Sequence, residues 1–106
     1  MLNEALRLIR VFHDMKQSDL SRELEMSPSF LSEIEKGRKT ATFDLVQKYA
    51  EYFHIPASSI MLFSEKIDSE EQPKNEEERV RTARRILKIM LLIAKDIEGE
   101  ATDVPD

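Results

Sequence analysis

Between residues 36 and 40 the chain gathers side chains able to grip a polyanion, Lys36, Arg38, Lys39 and Thr40, and upstream of them stand Gln17 and the set Ser27, Pro28, Ser29, Ser32 and Glu33. Lysine and arginine neutralise phosphates, serine hydroxyls bond to bases or phosphate oxygens, and a glutamate can accept from the exocyclic amine of cytosine. This is a chemistry of holding rather than of bond breaking. There is no cysteine, and His13 and His54, the only histidines, are joined by no clear carboxylate cluster, so no metal site is expected. No serine sits in a glycine elbow and no glycine loop could cradle a phosphate, so the expectation is a protein without enzymatic activity or cofactor.

These residues need helices to present them. Ser27 can cap the backbone N–H groups of a following helix, and Pro28 suits its first position, where a missing donor costs nothing. Leu31 and Ile34 then repeat at helical spacing, and Gly37 stands where a left-handed terminator is wanted. Upstream, Leu20 and Leu24 give a shorter helix one apolar stripe, with Ser18, Asp19, Arg22 and Glu23 around its solvent side. The spacing therefore predicts two short helices joined by a tight turn over residues 17–37. Neither is long enough to be stable alone in water, so both must lean on a shared core.

The rest of the chain supplies that core. Asn3 is a candidate cap for a first helix to about Asp14, with Leu6, Ile9 and Phe12 facing inward and Met15 in the connection. After the basic loop, Thr42 caps a fourth helix carrying Val46, Tyr49, Ala50 and Phe53, which should end near His54. Pro56 opens a short fifth helix through Ile60, Met61 and Leu62, and connections of this length suit compact all-helical packing.

The ordered run Gln17, Leu20, Leu24, Ser27, Leu31, Ile34, Glu35 and Gly37, followed by Thr42, Val46, Tyr49, Ala50, Phe53, Ile55 and Ile60, resembles the helix-turn-helix of the Xre family, the fold of the Cro and lambda-type phage repressors. The resemblance covers roughly residues 2–63. It implies a five-helix DNA-binding domain whose second helix of the pair enters the major groove, with double-stranded DNA as partner. It implies that Arg10 pairs with Glu35 across the first and third helices, and that Gln17 binds a phosphate beside a helix N-terminus. Lys36, Arg38, Lys39 and Thr40 would form a second phosphate cluster. The chain departs from the family pattern at Asp14 and Glu25, where glycine is frequent, and at Ala41, where proline is frequent.

Charge and composition set the remaining expectations. The net charge of −5 opposes binding to nucleic acid, but residues 1–66 carry 9 Lys/Arg against 10 Asp/Glu while residues 67–106 carry 7 against 11. Most of the acid excess thus lies outside the first domain. Residues 67–78 hold six acidic side chains and a single apolar one, which reads as a linker with room for helix near its end. Residues 79–98 read as a long helix bounded by Gly99, with Ala83, Ile86, Leu87, Met90, Ile93, Ala94 and Ile97 on an apolar face too broad for an isolated surface helix. Three uses of that face stay open: self-association, folding back onto the first domain, or docking to another protein. Residues 99–106 read as a tail.

The expected architecture is all-α: a five-helix domain over residues 1–66, a linker, and a C-terminal amphipathic helix suited to dimerisation. No apolar run approaches the length needed to span a bilayer and the first residues lack the apolar core of a secretory signal, so a cytoplasmic location is expected. The functional expectation is a sequence-specific transcriptional regulator, a repressor binding a palindromic operator as a homodimer. The alternative is a protein-interaction module, such as the antitoxin or adaptor half of a regulatory pair.

Overall fold

The computed structural model describes residues 1–69 and 75–102, with side chains up to residue 93. The described residues form six α-helices and no strand: α1 Leu2–Phe12, α2 Gln17–Glu23, α3 Pro28–Glu35, α4 Phe43–Phe53, α5 Ala57–Ser69 and α6 Glu76–Thr102. Of the apolar positions expected to face inward, Leu6, Ile9, Leu20, Leu24, Leu31, Ile34, Val46, Tyr49 and Ile60 are buried in one continuous core together with Phe63, while Phe12, Ala50 and Phe53 pack against it partly buried. At its centre, α1 packs on α3, α5 and α6, while α2 leans on α3 and α4 on α5.

The start signals of α3 and α4 act where expected, and that of α1 does not. The Ser27 hydroxyl accepts from the Phe30 N–H at 3.1 Å, and the Thr42 hydroxyl accepts from the Leu45 N–H at 3.2 Å. Asn3 does not cap α1: the helix begins two residues earlier than such a cap would place it, with Met1 at its cap position and no capping side chain. The Asn3 amide is drawn away by two tertiary carbonyls, described below.

Three corners turn through left-handed residues other than glycine: Asp14 at φ 55°, Glu25 at φ 57° and His54 at φ 56°. Asp14 and Glu25 are the positions where glycine was the more usual residue, so the backbone path is kept at a steric cost of roughly 1–2 kcal/mol each.

Both ends of the stretch expected as a linker are helical. Ile67 packs half-buried against the core, which carries α5 on to Ser69. Farther on, the Asn75 side-chain oxygen accepts from the Glu78 N–H at 2.9 Å, and Glu76, Glu77 and Glu78 form the first turn of α6. Carboxylates are favoured there by the positive end of the helix dipole. Residues 70–74 lie outside the described residues. The helix also runs past Gly99 to Thr102, beyond the expected bound.

The broad apolar stripe of α6 is shared between two surroundings. Ala83 and Leu87 are each 2% exposed and belong to the core, and Val80, Ile86 and Met90 pack partly buried against it. The folded-back arrangement is thus the one observed for this part of the helix. Charged ties hold it there: Arg7 donates to Glu76 at 2.7 Å, and Arg79 lies 3.4 Å from Glu4.

Candidate nucleic-acid interface

The site is built on α3. Leu31, Ile34 and Glu35 point into the molecule, which turns Ser29 outward and leaves Ser32 and Glu33 half-exposed along the same side. Ser27 and Pro28 at the helix start are exposed as well. The hydroxyl oxygen of Ser27 is engaged as a cap, while its proton remains available, and the Ser29 hydroxyl lies 3.4 Å away.

The end of α3 is fixed by backbone geometry. Gly37, at φ 79°, donates its N–H to the Ile34 carbonyl, and Arg38 donates to the Glu33 carbonyl, each at 3.0 Å. This paired closure is the Schellman arrangement, and it folds the basic loop back along the helix. Lys36, Arg38, Lys39 and Thr40 are all exposed. Arg38 lies 3.6 Å from Glu33, so the one acidic reader of the helix already faces a cation.

Behind this surface is a buried polar network. Arg10 donates from Nε to Glu35 Oε2 at 2.7 Å and from Nη2 to Oε1 at 2.9 Å, while its Nη1 donates to the Met15 carbonyl at 2.6 Å. The ion pair implied by the family resemblance is therefore present. Gln17 joins it, its amide nitrogen donating to Glu35 Oε1 at 2.9 Å. That contact turns the Gln17 side chain inward, toward the ion pair.

Three residues of this surface escaped the sequence reading. Asn3 donates from one amide to two carbonyls, Ile34 at 2.7 Å and Lys39 at 2.8 Å, fastening the exit of α3 to α1. Nothing in the sequence marks this, because an asparagine near a helix start reads as a cap. Phe30 is 38% exposed and carries the Lys39 ammonium 5.0 Å from its ring centroid. Phe43, 60% exposed, follows the Thr42 cap beside the loop. Phe30 stands four residues before the buried Ile34 and Phe43 three before the buried Val46, so helical spacing gave no sign that either ring would be exposed.

Elsewhere, the His13 ring stacks on Phe53 at 4.3 Å and its Nδ1 meets the Ile9 carbonyl at 2.8 Å. Among the described residues no group of His, Cys, Asp or Glu is placed to hold a metal ion, and no helix is long and apolar enough to cross a membrane.

The residues expected to dimerise are divided. Ala83 and Leu87 are buried within their own chain, Ile86 and Met90 are half-buried, and Ile93 is exposed; the side chains of Ala94 and Ile97 lie outside the described residues. Ile89 and Leu92, not among those expected, are 54% and 63% exposed. With Ile93 they recur three and four apart and form one outward ridge.

A family model described as a helix-turn-helix domain matches residues 3–64, the span of α1 to most of α5 and more than half of the chain. No match was found among curated proteins or among solved structures.

Proposed function

The chain belongs to the helix-turn-helix domain family, and from that premise we propose that it is a sequence-specific transcriptional regulator of the Xre type, akin to Cro and the lambda-type repressors. In this reading it represses by binding a palindromic operator as a homodimer in the cytoplasm and catalyses no reaction. The observation that carries the proposal is the outward side of α3: Ser29, Ser32 and Glu33 lie open to a groove while Leu31 and Ile34 brace the helix from behind.

Four residues of the adjoining loop, Lys36, Arg38, Lys39 and Thr40, would grip the phosphates on one wall of that groove. The readers are small and include no arginine or glutamine for bidentate base contacts. Selectivity would therefore draw on duplex shape and on two copies binding half-sites about one helical turn apart. The ridge Ile89, Leu92 and Ile93 is the surface we assign to pairing of the two copies.

Selection of duplexes from a random library by the full-length protein tests the proposal. Recovery of an inverted repeat bound by two copies supports it; recovery of no preferred sequence overturns it.

The same exposed ridge favours a second reading, in which α6 docks into another protein and contact with DNA is secondary. A chain that stays monomeric when pure, and pairs only with a separate protein, would decide for it.

A further inference from the structure

We propose that Lys39 is a phosphate contact held ready in the free protein, with Phe30 and Asn3 as its positioning residues. The inference rests on the DNA-binding reading above and deepens it.

A lysine in an exposed loop ordinarily samples many rotamers, and fixing it on a ligand is entropically costly. Lys39 is restrained at both ends. Its carbonyl accepts from Asn3 Nδ2 at 2.8 Å, and its own N–H donates to the Glu33 carbonyl at 3.3 Å, so the backbone is tied to α1 and to α3. Its ammonium then rests 5.0 Å from the Phe30 ring centroid, an attraction between a cation and the negative face of an aromatic ring. That partner occupies one side of the ammonium only, leaving N–H groups free for an anion.

Position supports the same role. The ring of Phe30 lies at the flank of α3, between the outward Ser29 and Glu33 and the buried Ile34. A helix seated in a major groove has a phosphate backbone along each flank, so a cation laid against Phe30 is placed where one wall would run. Arg38 differs: it lies 3.6 Å from a carboxylate, whereas among the described residues no carboxylate pairs with Lys39.

The test uses full-length protein and the duplex recovered from the library, with affinity read by fluorescence anisotropy between about 50 and 200 mM KCl. Lys39→Ala should lower the slope of log affinity against log salt by about 0.9, as loss of one phosphate contact requires. Phe30→Ala should weaken binding when Lys39 is present and add nothing in the Lys39→Ala background; Asn3→Ala, which also releases the Ile34 carbonyl, should weaken binding in both backgrounds but less in the second. Phe30→Tyr should restore the affinity, since it keeps an aromatic face, and Phe30→Leu should not. Circular dichroism of each variant establishes that it is folded, and the leucine variant, which also lacks the aromatic face, serves if alanine fails to fold.

Three results would each overturn the inference: an unchanged slope in Lys39→Ala, a multiplicative loss when Phe30→Ala is combined with Lys39→Ala, or full affinity in Phe30→Leu. If the unaltered protein binds with a steep salt dependence while Lys39→Ala matches it, only the role of Lys39 falls. If the unaltered protein recovers no duplex, the DNA-binding reading falls with it.

Discussion

Arg10 closes two hydrogen bonds on the carboxylate of Glu35, at 2.7 and 2.9 Å, across the interface between α1 and α3. The Glu35 side chain is 1% exposed and that of Arg10 13%, so neither can turn to water if its partner is removed. Arg10→Ala is expected to destabilise the protein by about 3–5 kcal/mol, the typical cost of leaving a buried charge uncompensated. Urea unfolding followed by circular dichroism checks this, and a loss below about 1 kcal/mol would show the pair to be inert.

Corner residues offer a test of opposite sign. Asp14 and Glu25 hold left-handed backbone with a side chain attached, so Asp14→Gly and Glu25→Gly should each stabilise by up to about 1 kcal/mol after the extra entropy of glycine in the unfolded chain is subtracted. Gly37 is the converse case. A Cβ there would meet no atom within 4 Å, so Gly37→Ala should cost only the left-handed strain, about 1 kcal/mol, and Gly37→Asn less. Denaturation midpoints would reveal whether the order holds.

Tyr49 is wholly buried and its hydroxyl has no hydrogen-bond partner among the described residues. Burial pushes its pKa up, and the nearby Glu35 charge adds to this while Arg10 opposes it. A raised folded value means full stability below the unfolded value of about 10 and a loss as pH climbs past it, because the unfolded chain then releases a proton that the folded one keeps. Tyr49→Phe should be neutral or stabilising by roughly 1 kcal/mol at neutral pH and should flatten that alkaline decline. Thermal melts from pH 7 to about 11 provide the measurement.

At acid pH the relevant group is Glu4. Burial alone would raise its carboxyl pKa, but the hydrogen bond and charge of Arg7, with help from Arg79, bring it below the usual value. Stability from this group is therefore complete above about pH 4.3 and disappears as pH falls through the lower folded value. Melts of Glu4→Gln should show a shallower acid dependence than the parent over that window.

Residues on opposite sides of α6 should separate folding from association. Leu87→Ala removes a side chain that is 2% exposed and should cost about 2–5 kcal/mol. Leu92→Glu alters a residue that is 63% exposed, should leave stability within about 0.5 kcal/mol, and should abolish self-association in sedimentation equilibrium. A Leu92→Glu protein that still dimerises would remove the ridge from the proposed mechanism.

How far the sequence could be read depended on the range of the interactions involved. The α3 start was legible because Ser27 and Pro28 signal locally, and its end because Gly37 does. The inner face followed from the spacing of Leu31 and Ile34. The family pattern pointed to the contact between Arg10 and Glu35, which no local rule would have found across 25 positions. What stayed hidden were side chains whose partners are distant and not part of that pattern. Asn3 reads as a cap until Ile34 and Lys39 arrive beside it, and Gln17 reads as exposed until Glu35 does. The stretch of residues 67–78 read as a linker because acidity was weighed by composition, whereas Glu76, Glu77 and Glu78 gain from their place at a helix start.

α6 is tied to α1 through Glu76 and Arg79, and α1 in turn to the exit of α3 through Asn3, so one chain of contacts joins the outer ridge to the helix proposed to enter the groove. Two copies joined along that ridge would carry their reading heads at a set separation, like the jaws of a calliper instead of weights on a string. Insertion of even a few base pairs between half-sites would then rotate and displace one head out of reach, and tolerance to such insertions would be narrow.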